Sequence, residues 1–151
     1  MPHFTKPSGD YAPFGKNEYR RSTKGLLYES YTFSAASMPT VTIDGTVQKV
    51  LQSGVVLAKI TSGAESGKVG VFQADATDGR QTAANIVGVN DTFLPWQLLK
   101  RDADVSACYH GTLDQAKCIE YNTAGAPIAL TNTTADAMRG TKGLDLMFHA
   151  S

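Results

Sequence analysis

The sequence predicts a mainly β fold: a small β-barrel or β-tulip-like domain with one or two short helices, preceded by an extended N-terminal arm. The first observation is length, since 151 residues suit a single domain. The second is that short runs of β-branched and apolar residues alternate with turn residues between positions 41 and 109, a pattern typical of small barrels and sandwiches. The third is that residues 1–25 show no sustained apolar period. We therefore assign residues 1–25 to the arm and residues 26–151 to the domain.

The strands are expected in chain order from residue 26 onward. Residues 26–33, LLYESYTF, are rich in β-formers. A hairpin follows, because Asp44-Gly45 is a favoured pair for a two-residue turn and lies between short β-rich runs. The run 55–60, VVLAKI, is apolar apart from Lys59 and predicts a core strand. The full set of expected strands covers residues 26–33, 41–43, 46–51, 55–60, 68–72, 82–89, 97–99, 105–109 and 144–148.

Helix is expected only late in the chain. Residues 112–115, TLDQ, fit a capping box, in which a hydroxyl bonds the amide three positions on and Gln reaches back. This motif predicts a short helix over residues 113–121. Residues 134–139, followed by Gly140, predict one more helical turn, because Gly is common just after a helix end.

The arm carries more aromatic residues than a plain linker needs. Its charge is +3, from five basic and two acidic residues. Spaced aromatic residues and arginines are what protein interfaces favour. We therefore predict a segment that orders on contact with a partner, and a frayed terminus is the alternative. The expected anchors and cation partners are Phe4, Tyr11, Phe14, Tyr19, Arg20 and Arg21.

Composition argues against several classes of function. Formal net charge is zero, whereas a nucleic-acid binder normally has a basic excess. No apolar run approaches the ~20 residues of a membrane-spanning helix. The first residues lack the apolar region of a secretory signal. We therefore expect cytosolic synthesis, with neither nucleic acid nor membrane as a partner.

No arrangement of residues indicates catalysis, a metal or a cofactor, and the chain is expected not to be an enzyme. His3 and His149 lie near the chain ends, which disfavours a pre-organised triad. Cys108, Cys118 and His110 supply three ligands where a zinc site needs about four. In a cytosolic chain the cysteines are expected to be reduced thiols, and a disulfide is the alternative if the fold brings their Cα atoms to about 5–6 Å. The aspartates lie mostly in turns, where the side chain bonds its own backbone. Trp96 is the single tryptophan, and it is expected to be a core or interface residue.

Residues 54–112 resemble a known family, the lambda-type head decoration (capsid cement) proteins of tailed bacteriophages. Gly54–Thr61, GVVLAKIT, is similar to the family's G-x-VL-x-K-[VI]-T segment. Val71–Asp75 followed by Asp78–Ala83, VFQAD and DGRQTA, resembles its Y-x-P-Y/F-D…DG-x-x-x-A segment. Residues 104–113 resemble its late strand, and residues 143–148 resemble its closing strand more weakly.

The resemblance implies a structural role on a viral capsid. It implies a homotrimer at local threefold sites on the outside of an expanded phage head, made in the host cytoplasm and then part of the virion. The implied partner is the major capsid protein, bound by the arm through strand addition. Asp78-Gly79 then serves as a scaffold turn. Asn85 stands where the family usually has Gly, and Asn is the non-Gly residue that best tolerates left-handed backbone.

A different class of function remains as the alternative. A small β-rich host- or glycan-binding module of a phage fibre or similar appendage would also fit a β-rich chain without catalytic residues. This alternative predicts an exposed aromatic platform at Trp96.

Overall fold

The computed structural model describes residues 18–149, and these residues form a mainly β fold with 40% strand and 15% helix. The predicted fold class is thereby confirmed. The strands are β1 (Leu27–Phe33), β2 (Val41–Ile43), β3 (Thr46–Gln48), β4 (Val56–Lys59), β5 (Val69–Val71), β6 (Ile86–Asn90), β7 (Ala103–Asp114), β8 (Ile119–Tyr121), β9 (Pro127–Ala129) and β10 (Asp145–His149). One α-helix, α1 (Asn132–Arg139), precedes β10. Within the described range no helix has the length and apolarity to cross a bilayer.

A six-stranded sheet in the order β1-β5-β4-β6-β7-β10 organises the molecule. β1 also pairs antiparallel with β7 over its whole length, from Leu27 opposite His110 to Phe33 opposite Ala103. On its other side, β1 meets β5 at one position, Phe33 opposite Val69. Because that contact is so short, the sheet curls back on itself without forming a clear barrel. Two small hairpins, β2–β3 and β8–β9, flank it.

The core lies on both faces of β4, which explains why its first three residues, Val56–Ala58, are all apolar. Val56 and Ala58 pack into a buried cluster with residues of α1 and β10, which is called the first core cluster below. Leu57 points the other way, into a second buried cluster with Phe33 and residues of β5. Alternate side chains of a strand face opposite sides, so a strand buried on both faces needs apolar residues throughout.

Two predictions that depend on local signals are confirmed, the hairpin turn at Asp44-Gly45 and the late helix. Asp44 and Gly45 both have positive φ, 50° and 76°, as the hairpin turn between β2 and β3 requires. Helix α1 begins after Thr131, whose side-chain oxygen accepts a hydrogen bond from the amide of Thr134. Gly140 is the C-cap of α1, one position before the predicted C′, and its φ of −90° is right-handed backbone.

The helix predicted over residues 113–121 is wrong. Strand β7 continues through Leu113, which is fully buried, and pairs there with the backbone around Arg20. The side chain of Asp114, rather than Thr112, caps a single 3₁₀ turn, Gln115–Lys117, before β8 begins. The strand pairing and the burial of Leu113 outweigh a cap motif that stabilises a helix by only about 1 kcal/mol.

Several predicted strands are shorter than expected, and one is absent. Gln97–Leu99 forms a 3₁₀ turn whose central residue, Leu98, is buried in the second cluster. Ala83–Asn85 forms another 3₁₀ turn, so β6 starts at Ile86 rather than at residue 82. In a run of only three residues, sequence periodicity does not distinguish a strand from a 3₁₀ turn that buries one side chain in the core.

Candidate functional site

Residues 19–22, at the end of the N-terminal segment, are hydrogen-bonded to β7 of the folded domain, which is called the body below. Tyr19 is only 1% exposed and belongs to the first core cluster. Its hydroxyl donates a 2.8 Å hydrogen bond to Asp91 Oδ1, and its carbonyl accepts from the amide of Asp114 at 2.8 Å. The amide of Arg21 donates to the carbonyl of Thr112 at 3.0 Å. Tyr19 is therefore a core residue, and its prediction as a partner-binding anchor is wrong.

The predicted cation partners differ in how they are engaged. The Arg20 guanidinium pairs with Glu18, with an Nε to Oε1 distance of 2.8 Å, and lies 6.0 Å from the centroid of the Tyr19 ring. These contacts lie within the chain, so Arg20 already has a carboxylate partner. Arg21 is exposed. The other three predicted anchors, Phe4, Tyr11 and Phe14, lie outside the described residues.

The turn at Asp78-Gly79 is scaffold, as its sequence indicates. The Asp78 carbonyl accepts hydrogen bonds from the amides of Thr61 and Ser62, at 2.8 and 3.2 Å. Gly79 has φ +106°, and a Cβ there would lie 2.1 Å from Thr61 Oγ1. Arg80, 9% exposed, adds an ion pair to Asp78 at 3.0 Å and donates to the Val71 carbonyl. The turn thus connects the loop after β4, at residues 61–62, to strand β5.

Asn85 does not adopt the left-handed backbone that its comparison with Gly suggests. Among the described non-glycine residues only Asp44 has positive φ. Asn85 instead ends the 3₁₀ turn before β6, and its Nδ2 donates a 2.8 Å hydrogen bond to the Gly79 carbonyl. Its role in this scaffold is to hold the turn through its side-chain amide.

Trp96 is 55% exposed, so it is not a core residue. Exposure fits either an interface or an aromatic platform. Other large apolar side chains also remain exposed on the sheet, notably Leu27 on β1 and Met147 on β10, at 48% and 59%. Both strands flank the same stretch of β7, since Leu27 lies opposite His110 and Met147 opposite Thr112.

Cys108 and Cys118 are free thiols, and both are completely buried in the first core cluster. Burial raises the pKa of Cys118 from 9.0 to about 12, and it also raises the pKa of Cys108. A buried neutral thiol is a poor nucleophile and a poor metal ligand. In the range 18–149 no group of three or more His, Cys, Asp or Glu side chains is placed to hold a metal ion.

These thiols predict a loss of stability in alkaline solution. In the unfolded chain Cys118 ionises near pH 9, whereas in the folded protein it stays protonated to about pH 12. The unfolded state therefore binds fewer protons above pH 9, and the free energy of unfolding falls as pH rises. For Cys118 alone we expect a loss of about 1.4 kcal/mol between pH 8 and pH 10, measured by urea unfolding.

The Cys118→Ala variant provides the control. It should be less stable at every pH because it leaves a cavity, but its stability should fall less steeply over the same pH interval. A variant with the same slope as the parent would contradict the assignment of the alkaline loss to this thiol.

Comparison with known proteins adds no family, because neither a protein-family model, nor a curated protein, nor a solved structure matches the chain.

Proposed function

We propose that this protein is a structural capsid decoration protein of a tailed bacteriophage. In this proposal the β body sits on the outer surface of an expanded head as a trimer, and residues 1–17 bind the major capsid protein. The proposal originates in the sequence resemblance of residues 54–112, and it narrows the binding segment from residues 1–25 to residues 1–17.

The observation that carries it is the anchoring of the chain at Tyr19. A buried ring, a hydrogen bond to Asp91 and backbone bonds to β7 fix the position of Tyr19, which follows the proposed binding segment in the sequence. Once the folded domain is bound to the capsid, a binding segment that is attached to it at a fixed point has a high effective concentration at its own site on the capsid. Phe4, Tyr11 and Phe14 all precede that point.

Self-association is supported by the apolar side chains left exposed on β1 and β10. Leu27 and Met147 are about half exposed and flank the same part of β7. Covering such side chains in a symmetric contact would contribute roughly 25 cal/mol per Å² of apolar surface. Analytical ultracentrifugation of the full chain should give a trimer, which weakens when Met147 is changed to Lys.

The capsid role is tested by mixing the full-length protein with expanded phage heads from which the decoration protein has been removed. We expect co-sedimentation with the heads and density at threefold positions by electron microscopy. The triple variant Phe4→Ala/Tyr11→Ala/Phe14→Ala should bind at least about 100-fold more weakly, because aromatic anchors carry much of the free energy of binding. Bound at saturation, the parent protein should stabilise heads against heat by mass action.

A matched double variant, Thr5→Ala/Ser8→Ala, changes the same segment without touching its aromatic residues and should bind like the parent. Heads that never bind the full chain would refute the capsid role itself. Full binding by the triple aromatic variant would leave the capsid role intact but refute the segment as its anchor.

A further inference from the structure

A solvent-facing cleft lies between β1 and the end of β4, on the side of β1 where its pairing with β5 is confined to Phe33. The cavity has a volume of about 320 Å³. Its walls come from β1, the end of β4, residues 84–87, β7 and the loop 142–144. Small-molecule sites are clefts or cavities whose volumes begin at about 300 Å³.

The polar side chains that line this cleft include two lysines. Lys59 and Lys142 line it, and both are exposed. Neither ammonium group has a carboxylate within 4.0 Å in the described part of the chain, whereas Lys68 pairs with two. Two ammonium groups that line one cavity attract an anion, and Glu29 is the single carboxylate among the lining residues.

The cleft also offers acceptors and flat rings. The Tyr31 hydroxyl donates a 3.0 Å hydrogen bond to Glu29 Oε2, and both residues line the cleft together with Tyr109. Burial and the bond to Glu29 raise the pKa of Tyr31 to about 12, so its hydroxyl stays protonated at neutral pH. A carboxylate accepts from hydroxyl groups, and phenol rings provide apolar faces with polar edges.

The charges restrict the ligand further. Two lysines and one glutamate give the lining a net charge of +2 − 1 = +1. A phosphate dianion would bring more charge than the lining balances and would meet Glu29. A simple carboxylate would leave the rings and Glu29 unused. A ligand with one carboxylate, several hydroxyl groups and a compact apolar face satisfies all three features.

We propose that this cleft binds an acidic sugar, a hexuronate residue of the kind found in acidic polysaccharides. Lys59 and Lys142 hold the carboxylate, Glu29 accepts from ring hydroxyl groups, and Tyr31 or Tyr109 packs against the pyranose ring. The site is independent of the capsid role, and it is distinct from an aromatic platform at Trp96. Its residues come from segments of the chain separated by up to 113 positions, from Glu29 to Lys142.

The test is a titration of the full-length protein, labelled with ¹⁵N, with glucuronate and galacturonate. For a ligand of this size we expect a Kd on the order of 1 mM, with the largest amide shifts at residues 84–87 and 142–144. Neutral glucose should bind at least about tenfold more weakly, because charge-assisted hydrogen bonds are lost. Added salt should weaken uronate binding.

Matched variants locate the binding groups. Lys59→Met and Lys142→Met should each weaken uronate binding by about fivefold or more, whereas Lys100→Met, at an exposed lysine outside the cleft, and Trp96→Ala should not. Glucose binding as tight as glucuronate, or lysine variants that bind like the parent, would overturn the proposal. Binding of an oligoglutamate peptide in the cleft with no response to either uronate would also overturn it and would identify an acidic protein segment as the occupant.

Discussion

Gly88→Ala is expected to be among the most destabilising single-methyl changes in the described part of this protein. Gly88 has φ +149°, and a Cβ there would lie 2.5 Å from the Cys108 carbonyl oxygen and 3.0 Å from its carbonyl carbon. These are backbone atoms of β7, so the contact can be relieved only if β6 and β7 separate. We expect a loss of about 3–5 kcal/mol in the free energy of unfolding, measured by urea denaturation.

The reason for a glycine at this position is a β-bulge. Leu57 lies opposite Gly88 and Ala58 opposite Ile86, so Val87 is an extra residue in β6. A bulge often requires a glycine with positive φ, and it increases the local twist. The twist contributes to the curl that brings β1 back to β7.

Alanine variants of two other glycines distinguish the effect of the steric clash from that of the positive φ. Gly111 has nearly the same φ, +153°, but its Cβ would meet only the end of the Leu26 side chain, at 2.4 Å. Gly63 has φ +84° and nothing within 4 Å. We expect about 1–2 kcal/mol for Gly111→Ala and about 1 kcal/mol for Gly63→Ala. A Gly88→Ala variant no less stable than Gly63→Ala would show that β6 and β7 tolerate separation.

The features that could be predicted from the sequence are those set by neighbouring residues. Asp44-Gly45 fixes its hairpin because two residues with positive φ suffice to define the turn. Three consecutive apolar residues begin β4 because that part of the strand is buried on both faces.

The features that were mispredicted are set by distant parts of the chain. The cap motif at residues 112–115 gives no sign that β7 will pair with the backbone near Arg20. The hydroxyl of Tyr19 meets Asp91, which lies 72 positions away, and nothing near Tyr19 in the sequence indicates that bond. For the same reason the cleft between Lys59 and Lys142 could not be predicted, because it lies beside β1 where its pairing with β5 is confined to Phe33.

Tyr19→Ala is expected to be nearly as costly as Gly88→Ala. The ring is 1% exposed and packs within the first core cluster, so truncation should leave a cavity and cost about 3–5 kcal/mol. Tyr19→Phe keeps the ring and removes only the donor to Asp91, so about 1–2 kcal/mol is expected. Urea unfolding of both variants separates packing from the hydrogen bond.

Trp96→Ala is the matched aromatic control, because the ring is 55% exposed and its loss should cost less than about 1 kcal/mol. Deletion of residues 1–25 should cost at least as much as Tyr19→Ala, since it also removes the backbone bonds of residues 19–22 to β7. If instead Tyr19→Ala unfolds like Trp96→Ala, Tyr19 contributes nothing to the body. The partner-binding arm would then extend to residue 25, and Tyr19 would again be a candidate to contact the capsid.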